Sequence, residues 1–273
     1  MPTLLNGTTI PKLVYGTTIK PSNPDDLLFH ALSIGFRAFD TASTRKFHRE
    51  DLDGQQLERA LKSNSLTREE IFIQTKFTPS RAHADPFPFD ETDDPHAQVQ
   101  KSMERSLREL RVDVIDVYLM HGPMPSPEET MAVWVAMEML VTLGKVRYIG
   151  LCNVDFSTLA RIYDAATNVR RFCAAHGIVY EIFGVLGAAN LELLDLPIVK
   201  TFAGEKGCTV QEVLLRLVLA SAAEDGLEGC ILTGTSKLER MGRDLEVVSN
   251  GESLERVVLE EFRGALGKLV NGS

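Results

Sequence analysis

Seven short, β-rich apolar runs recur along the chain, each followed by a helix-sized interval, and this alternation constrains the fold more than any other feature. The runs are KLVYGT (12–17), RAFDTA (37–42), IFIQTKF (71–77), VDVIDVYLMH (112–121), VRYIGLCN (146–153), IVYEIFGVL (178–186) and GCILTGT (229–235). Between them the spacing predicts helices at 24–34, 51–63, 94–110, 128–143, 155–167 and 209–222, with two more near 238–248 and 252–266. In 94–110, for instance, Val99, Met103, Leu107 and Leu110 keep helical spacing. Alternating β and α units with short connections imply a parallel sheet with right-handed crossovers. The expected class is therefore α/β, of the (β/α)8 TIM-barrel type, in a single domain over 1–273.

Eight strands are needed to close such a barrel, and seven are legible. After DFSTLARIYDAATNV the chain passes straight into RRFCAAHG, which also reads as helix. The barrel is expected to be incomplete or repacked around its sixth strand, with unpaired edges beside 146–153 and 178–186. An open edge leaves a monomer and a homodimer both available. Asn6-Gly7 between short apolar stretches reads as a hairpin turn.

Three runs end on a polar group: Asp40, Lys76 and His121. A charged residue after one buried strand is ordinary. Three at matched ends point to one rim of a parallel barrel, where active sites of this fold are built. TPSRAHADPFPFDETDDP (78–95) follows the Lys76 strand and is long enough to overhang that rim.

Composition sets the outer limits. Of 273 residues, 44% are hydrophobic and 25% charged, and the net charge of −9 argues against nucleic acid or anionic membranes as partners. No apolar leader or spanning run is legible, so a cytoplasmic location is expected. Cys152, Cys173, Cys208 and Cys230 lie far apart with no metal-ligand spacing, and read as buried, reduced thiols with no metal site.

The residues around Asp40, Lys76 and His121, with KVRYIGLCN and GIVY…LGAAN, resemble the aldo-keto reductase family, from Lys12 to about Glu246. In that family hydride passes from NADPH to a carbonyl while a Tyr hydroxyl donates the proton. The Lys, paired with the Asp, lowers the Tyr pKa, and the His orients the carbonyl. The resemblance thus implies NADP(H), a small-molecule aldehyde or ketone as substrate, and a place in secondary metabolism. It also implies a Gln-bearing strand at the gap, which this chain lacks.

The Tyr is replaced. In the family's common spacing its place falls on Arg45; in a fungal-like branch with a longer loop ending Tyr-Asn-Glu it falls on His48, with Glu50 and Gly54 in agreement. Phe47 cannot donate a proton. The catalytic set is then Asp40, His48, Lys76 and His121. By the same resemblance Asp40, Cys152 and Asn153 face the nicotinamide end of the cofactor, and Tyr180 stacks on its ring. Thr233, Gly234, Thr235, Ser236, Arg240 and Asp244 form the adenosine-phosphate clamp. Hydroxyls and backbone N–H groups at a helix start suit phosphate. Two other readings stay open: a non-redox cyclase, dehydratase or isomerase, and a catalytically inactive NADPH-binding protein.

Overall fold

The computed structural model describes residues 9–18, 26–84, 86–153, 179–186, 188–224, 229–249, 254 and 256–271. Seven strands fall where the runs place them: β1 (Leu13–Gly16), β2 (Ala38–Asp40), β3 (Phe72–Phe77), β4 (Ile115–Met120), β5 (Val146–Leu151), β6 (Tyr180–Phe183) and β7 (Gly229–Thr233). The sheet order is β5-β4-β3-β2-β1-β7-β6, and the registered pairs are parallel. Its two end strands are β5 and β6, the pair expected to flank the gap. The fold is that of an incomplete (β/α)8 barrel. The stretch 154–178, with the expected helix at 155–167, the absent strand and Cys173, lies outside the described residues, as does the Asn6-Gly7 turn.

Two compact units divide the chain, Tyr15–Ala166 and Met1–Val14 with Thr167–Ser273. In the first, strands alternate with α1 (Leu27–Ile34), α2 (Glu50–Ser63), α3 (Pro95–Leu110) and α4 (Pro127–Thr142). Phe36, Phe39, Ile73, Phe77 and Tyr118 are fully buried, and the Tyr118 hydroxyl donates to Ser102 Oγ at 3.0 Å. Local signals set the helix ends. Asp94 caps α3 through Ala97 N, with Pro95 opening the helix. Ser126 and Glu129 form a capping box on α4. Gly54 lets α2 press against α3, since a Cβ there would lie 2.1 Å from Glu109 O. Trp134 is buried on α4, its indole N–H donating to Glu138.

The N-terminal ends of β3, β4 and β5 are joined by one carboxylate. Asp116, 1% exposed, accepts from Arg68 Nη2 at 2.6 Å, Ile73 N at 2.9 Å and Arg147 Nη1 at 2.8 Å. Both carboxylate oxygens that burial removes from water are thereby hydrogen-bonded.

In the second unit β6 and β7 pair in parallel, and Ile231 N donates to Lys12 O at 2.8 Å. Around them lie α5 (Pro197–Lys206), α6 (Val210–Glu224), α7 (Leu238–Ser249) and α8 (Arg256–Asn271). Helix α5 adds to the elements expected from periodicity. Its signals are Pro197 in the first turn and Gly207 at the end, left-handed at φ 64°. Of the described cysteines only Cys230 is buried; Cys152 and Cys208 are half-buried, which corrects the expectation of uniformly buried thiols. No helix among the described residues is long and apolar enough to cross a membrane.

Candidate active site

Register alone brings the first two groups together. Asp40 ends β2 opposite Gln74, and Lys76 lies two residues further along β3, on the same face as Gln74. Both side chains reach Asp40 Oδ1, Lys76 Nζ at 2.5 Å and Gln74 Nε2 at 2.8 Å. Lys76 Nζ also donates to Thr41 O at 2.7 Å. Asp40 is 3% and Lys76 6% exposed, so this is a buried ion pair, with both donors to Asp40 converging on one carboxylate oxygen.

His121 follows β4, which pairs with β3 through Phe77 and Met120. Its backbone N–H donates to Phe77 O at 2.9 Å, and its Nδ1 shares a 2.9 Å hydrogen bond with Thr78 Oγ1. His48 reaches the same place from the turn after β2, its ring centroid 6.5 Å from that of His121. Its backbone N–H donates to Thr44 O, and its Nδ1 is buried without a hydrogen-bond partner. Arg45, the other candidate for the Tyr place, is turned to Asp51 and Glu109 instead. Phe47 is 47% exposed. Of the candidate positions, His48 is the one the turn directs inward.

Both imidazoles are strongly depressed. Burial first, then the Lys76 ammonium, push His48 down to about 3, with Asp40 opposing and His121 adding to the fall. The same two causes bring His121 to about 4. Across the neutral range each ring is therefore uncharged and offers one N–H donor and one acceptor. Lys76 is the cation of the cluster.

The loop after β3 does cross this rim. Thr44 Oγ1 donates to Ala82 O at 3.2 Å on one side, and Arg81 donates to Pro123 O on the other. The loop carries His83, whose ring lies 5.4 Å from Phe87 and 5.8 Å from Phe89 and whose Nε2 is 3.4 Å from Ser43 Oγ. Sequence reading had not singled out His83; its one signal was its place in the loop following Lys76. Beneath the rim lie two further acids. Glu50 accepts from Thr75 Oγ1 at 2.5 Å and Ser106 Oγ at 3.0 Å, and Asp53 from Thr41 Oγ1 at 2.7 Å and Thr17 Oγ1 at 2.9 Å. Burial outweighs these hydroxyl donors and raises both carboxyls to about 7.

After β5, Asn153 adopts a left-handed φ of 53° and donates through Nδ2 to His121 O at 2.7 Å. Its amide oxygen remains for another donor. The Cys152 thiol donates to Met120 O at 3.4 Å.

The clamp residues lie in the second unit. Thr233 ends β7 and Arg240 and Asp244 lie on α7, with Gly234, Thr235 and Ser236 in the connection. Thr233 Oγ1 donates to Asp244 Oδ2 at 3.5 Å, and Thr235 Oγ1 accepts from Lys237 N at 3.3 Å. Asp244 is 1% exposed and its Oδ1 has no partner among the described residues, a buried acceptor that suits a ligand presenting a hydroxyl or amine. The Tyr180 side chain lies outside the described residues. No group of three or more His, Cys, Asp or Glu suited to a metal occurs among the described residues.

Comparison with known proteins finds relatives along most of the chain. NADPH-dependent codeinone reductase 1-3 of Papaver somniferum is 29% identical over 265 residues, covering 82% of this chain and 78% of that protein. Methylglyoxal reductase DkgA of Escherichia coli O157:H7 is 27% identical, covering 80% of this chain and 78% of its own. The solved aldose reductase of Schistosoma japonicum superposes with a TM-score of 0.77 at 25% identity, covering 96% of this chain and 91% of that one. The model of the aldo/keto reductase family matches residues 4–254, so that this chain belongs to that family.

Proposed function

We propose that this protein is an NADP(H)-dependent oxidoreductase that reduces the carbonyl of a small aldehyde or ketone, with His48 and His121 polarising the carbonyl where relatives of its family use a phenol. The observation that carries this reading is the buried, unpartnered Nδ1 of His48 beside His121 and the Asp40–Lys76 pair. A buried polar atom without a partner is costly, by about 1–3 kcal/mol, unless a ligand answers it. NADP(H), when bound, supplies the hydride; Thr235, Ser236 and Arg240 would hold its adenosine phosphate, and Asn153 its amide. The chain's own residues do the rest. Lys76 provides fixed positive charge where negative charge gathers on the carbonyl oxygen, and the two imidazole N–H groups hydrogen-bond that oxygen. The proton that completes the alcohol comes from solvent, since neither imidazole carries a spare one near neutrality. The codeinone reductase relatives support a substrate from secondary metabolism.

A second reading, a non-redox dehydratase, isomerase or cyclase that keeps the scaffold, rests on the absence of a phenol at the proton-donor place, where Arg45 and His48 stand instead. Titration of intrinsic fluorescence with NADPH, followed by NADPH oxidation over a panel of aldehydes and ketones, separates the two. Binding with turnover, and loss of about 10²-fold or more in kcat for His48→Ala and His121→Ala, is the expected result. Full turnover in both variants would remove the imidazoles from the chemistry, and absence of NADPH binding would remove the reductase.

A further inference from the structure

A cavity of about 190 Å³ lies beside α7, and its charged lining is balanced. Lys237, Arg240 and Arg243 face Glu212, Glu239 and Asp244. Several of these charges are already committed. Arg243 Nη2 pairs with Glu239 at 2.5 Å. Glu212 accepts from Thr209 N at 2.6 Å while Thr209 Oγ1 accepts from Glu212 N, a closed cap at the start of α6. What remains for a ligand is Arg240 and Lys237 on one side and the Asp244 carboxyl on the other.

A pocket built only for a phosphate dianion has no use for a buried carboxylate. Asp244 is such a group, and its Oδ1 lacks a donor. Burial raises its pKa to about 6 against the pull of Arg240, which leaves it mostly ionised at pH 7.5. A carboxylate accepts a ribose 2′-hydroxyl, whereas an arginine accommodates a 2′-phosphate. This pocket holds both. We infer that the chain discriminates weakly between the phosphorylated and unphosphorylated dinucleotide, taking NADH as well as NADPH, and that Asp244 is the residue that sets the balance. The inference rests on the reading of the protein as a dinucleotide-dependent reductase.

The test is isothermal titration of the full chain with NADPH and with NADH at pH 7.5, for wild type, Asp244→Asn and Arg240→Gln. Melting curves establish that each variant is folded. The wild-type dissociation constants should lie within about tenfold of each other. Asp244→Asn, which removes the charge and keeps the shape, should tighten NADPH and weaken NADH, moving their ratio by about tenfold or more. Arg240→Gln should weaken NADPH by more than it weakens NADH. Wild-type preference for NADPH above about 100-fold overturns the inference, as does an unchanged ratio in folded Asp244→Asn. If neither dinucleotide binds wild type, the reductase reading fails and takes this inference with it; if NADPH alone binds, the reading stands and only the inference falls.

Discussion

Asp40 and Asp244 are both buried aspartates at places where the family resemblance sets the cofactor, yet they are answered in opposite ways. Asp40 takes an ammonium at 2.5 Å and an amide at 2.8 Å from its own chain. Asp244 takes one hydroxyl at 3.5 Å and keeps an oxygen without a partner. The first holds a cation of its own chain, a pair that fixes charge in place. The second, on the proposed function, is completed by the cofactor. A carboxylate paired internally contributes to folding and electrostatics; one left open is available for selection.

The largest effect should come from breaking the Asp40–Lys76 pair. Lys76→Met leaves the Asp40 charge buried and alone, which is expected to cost about 3–5 kcal/mol in urea unfolding, together with most of the turnover. Adding Asp40→Asn should restore much of the stability and none of the activity. Recovery of both would mean that the pair acts as scaffold only.

Next is His48→Tyr, which returns a phenol to the turn beside Lys76. Wild-type kcat should be flat from about pH 5.5 to 8.5, because His48 near 3 and His121 near 4 are uncharged throughout. The variant should gain about 10²-fold at neutral pH and acquire a basic limb as the phenol ionises. A pH–rate profile that follows a group near 6.5 and persists in the double variant Glu50→Gln, Asp53→Asn would contradict the depressed imidazoles.

A third effect, spread over several pH units rather than lost in one substitution, concerns Glu50 and Asp53, carboxyls answered by hydroxyls rather than by an ammonium. They titrate near 7 in the folded protein and about 4 when unfolded, so between those values the native state holds the extra protons. The contribution of these two carboxyls to stability should be complete below about pH 4 and decline as pH rises toward 7, by about 1.4 kcal/mol per pH unit for each group. Urea unfolding at stepped pH measures the slope, and the double variant Glu50→Gln, Asp53→Asn should flatten it. A slope of opposite sign would mean that both acids are ionised in the native state.

Much of this was legible in advance, for reasons that differ from residue to residue. The seven strands announce themselves locally, because each is a run of apolar and β-branched residues ended by a polar one. Asp40, Lys76 and His121 were visible because parallel topology converts matched strand ends into neighbours. The preference for His48 over Arg45 needed only Glu50 and Gly54 as landmarks, and Gly54 has a physical reason to stay fixed in the contact of α2 with α3. Three features escaped. Helix α5 lacks a strong apolar stripe and is marked mainly by Pro197 and Gly207. His83 comes to the rim through the path of a long loop, which no period encodes. The raised pKa of Glu50 and Asp53 depends on burial in which hydroxyls, and no hydrogen-bonded cation, meet the carboxyls, a property of the assembled core.

Asp116 has a consequence for the chemistry at the far end of its strand. By gripping Arg68, Arg147 and the Ile73 amide, it fixes how β3, β4 and β5 are aligned where they begin. A slip of one residue would turn every side chain to the opposite face, swinging Lys76 away from Asp40 and His121 away from Thr78. One anion at the foot of the sheet thus acts as a ruler for an ammonium and an imidazole several residues downstream, and the loops above can vary without disturbing that measure.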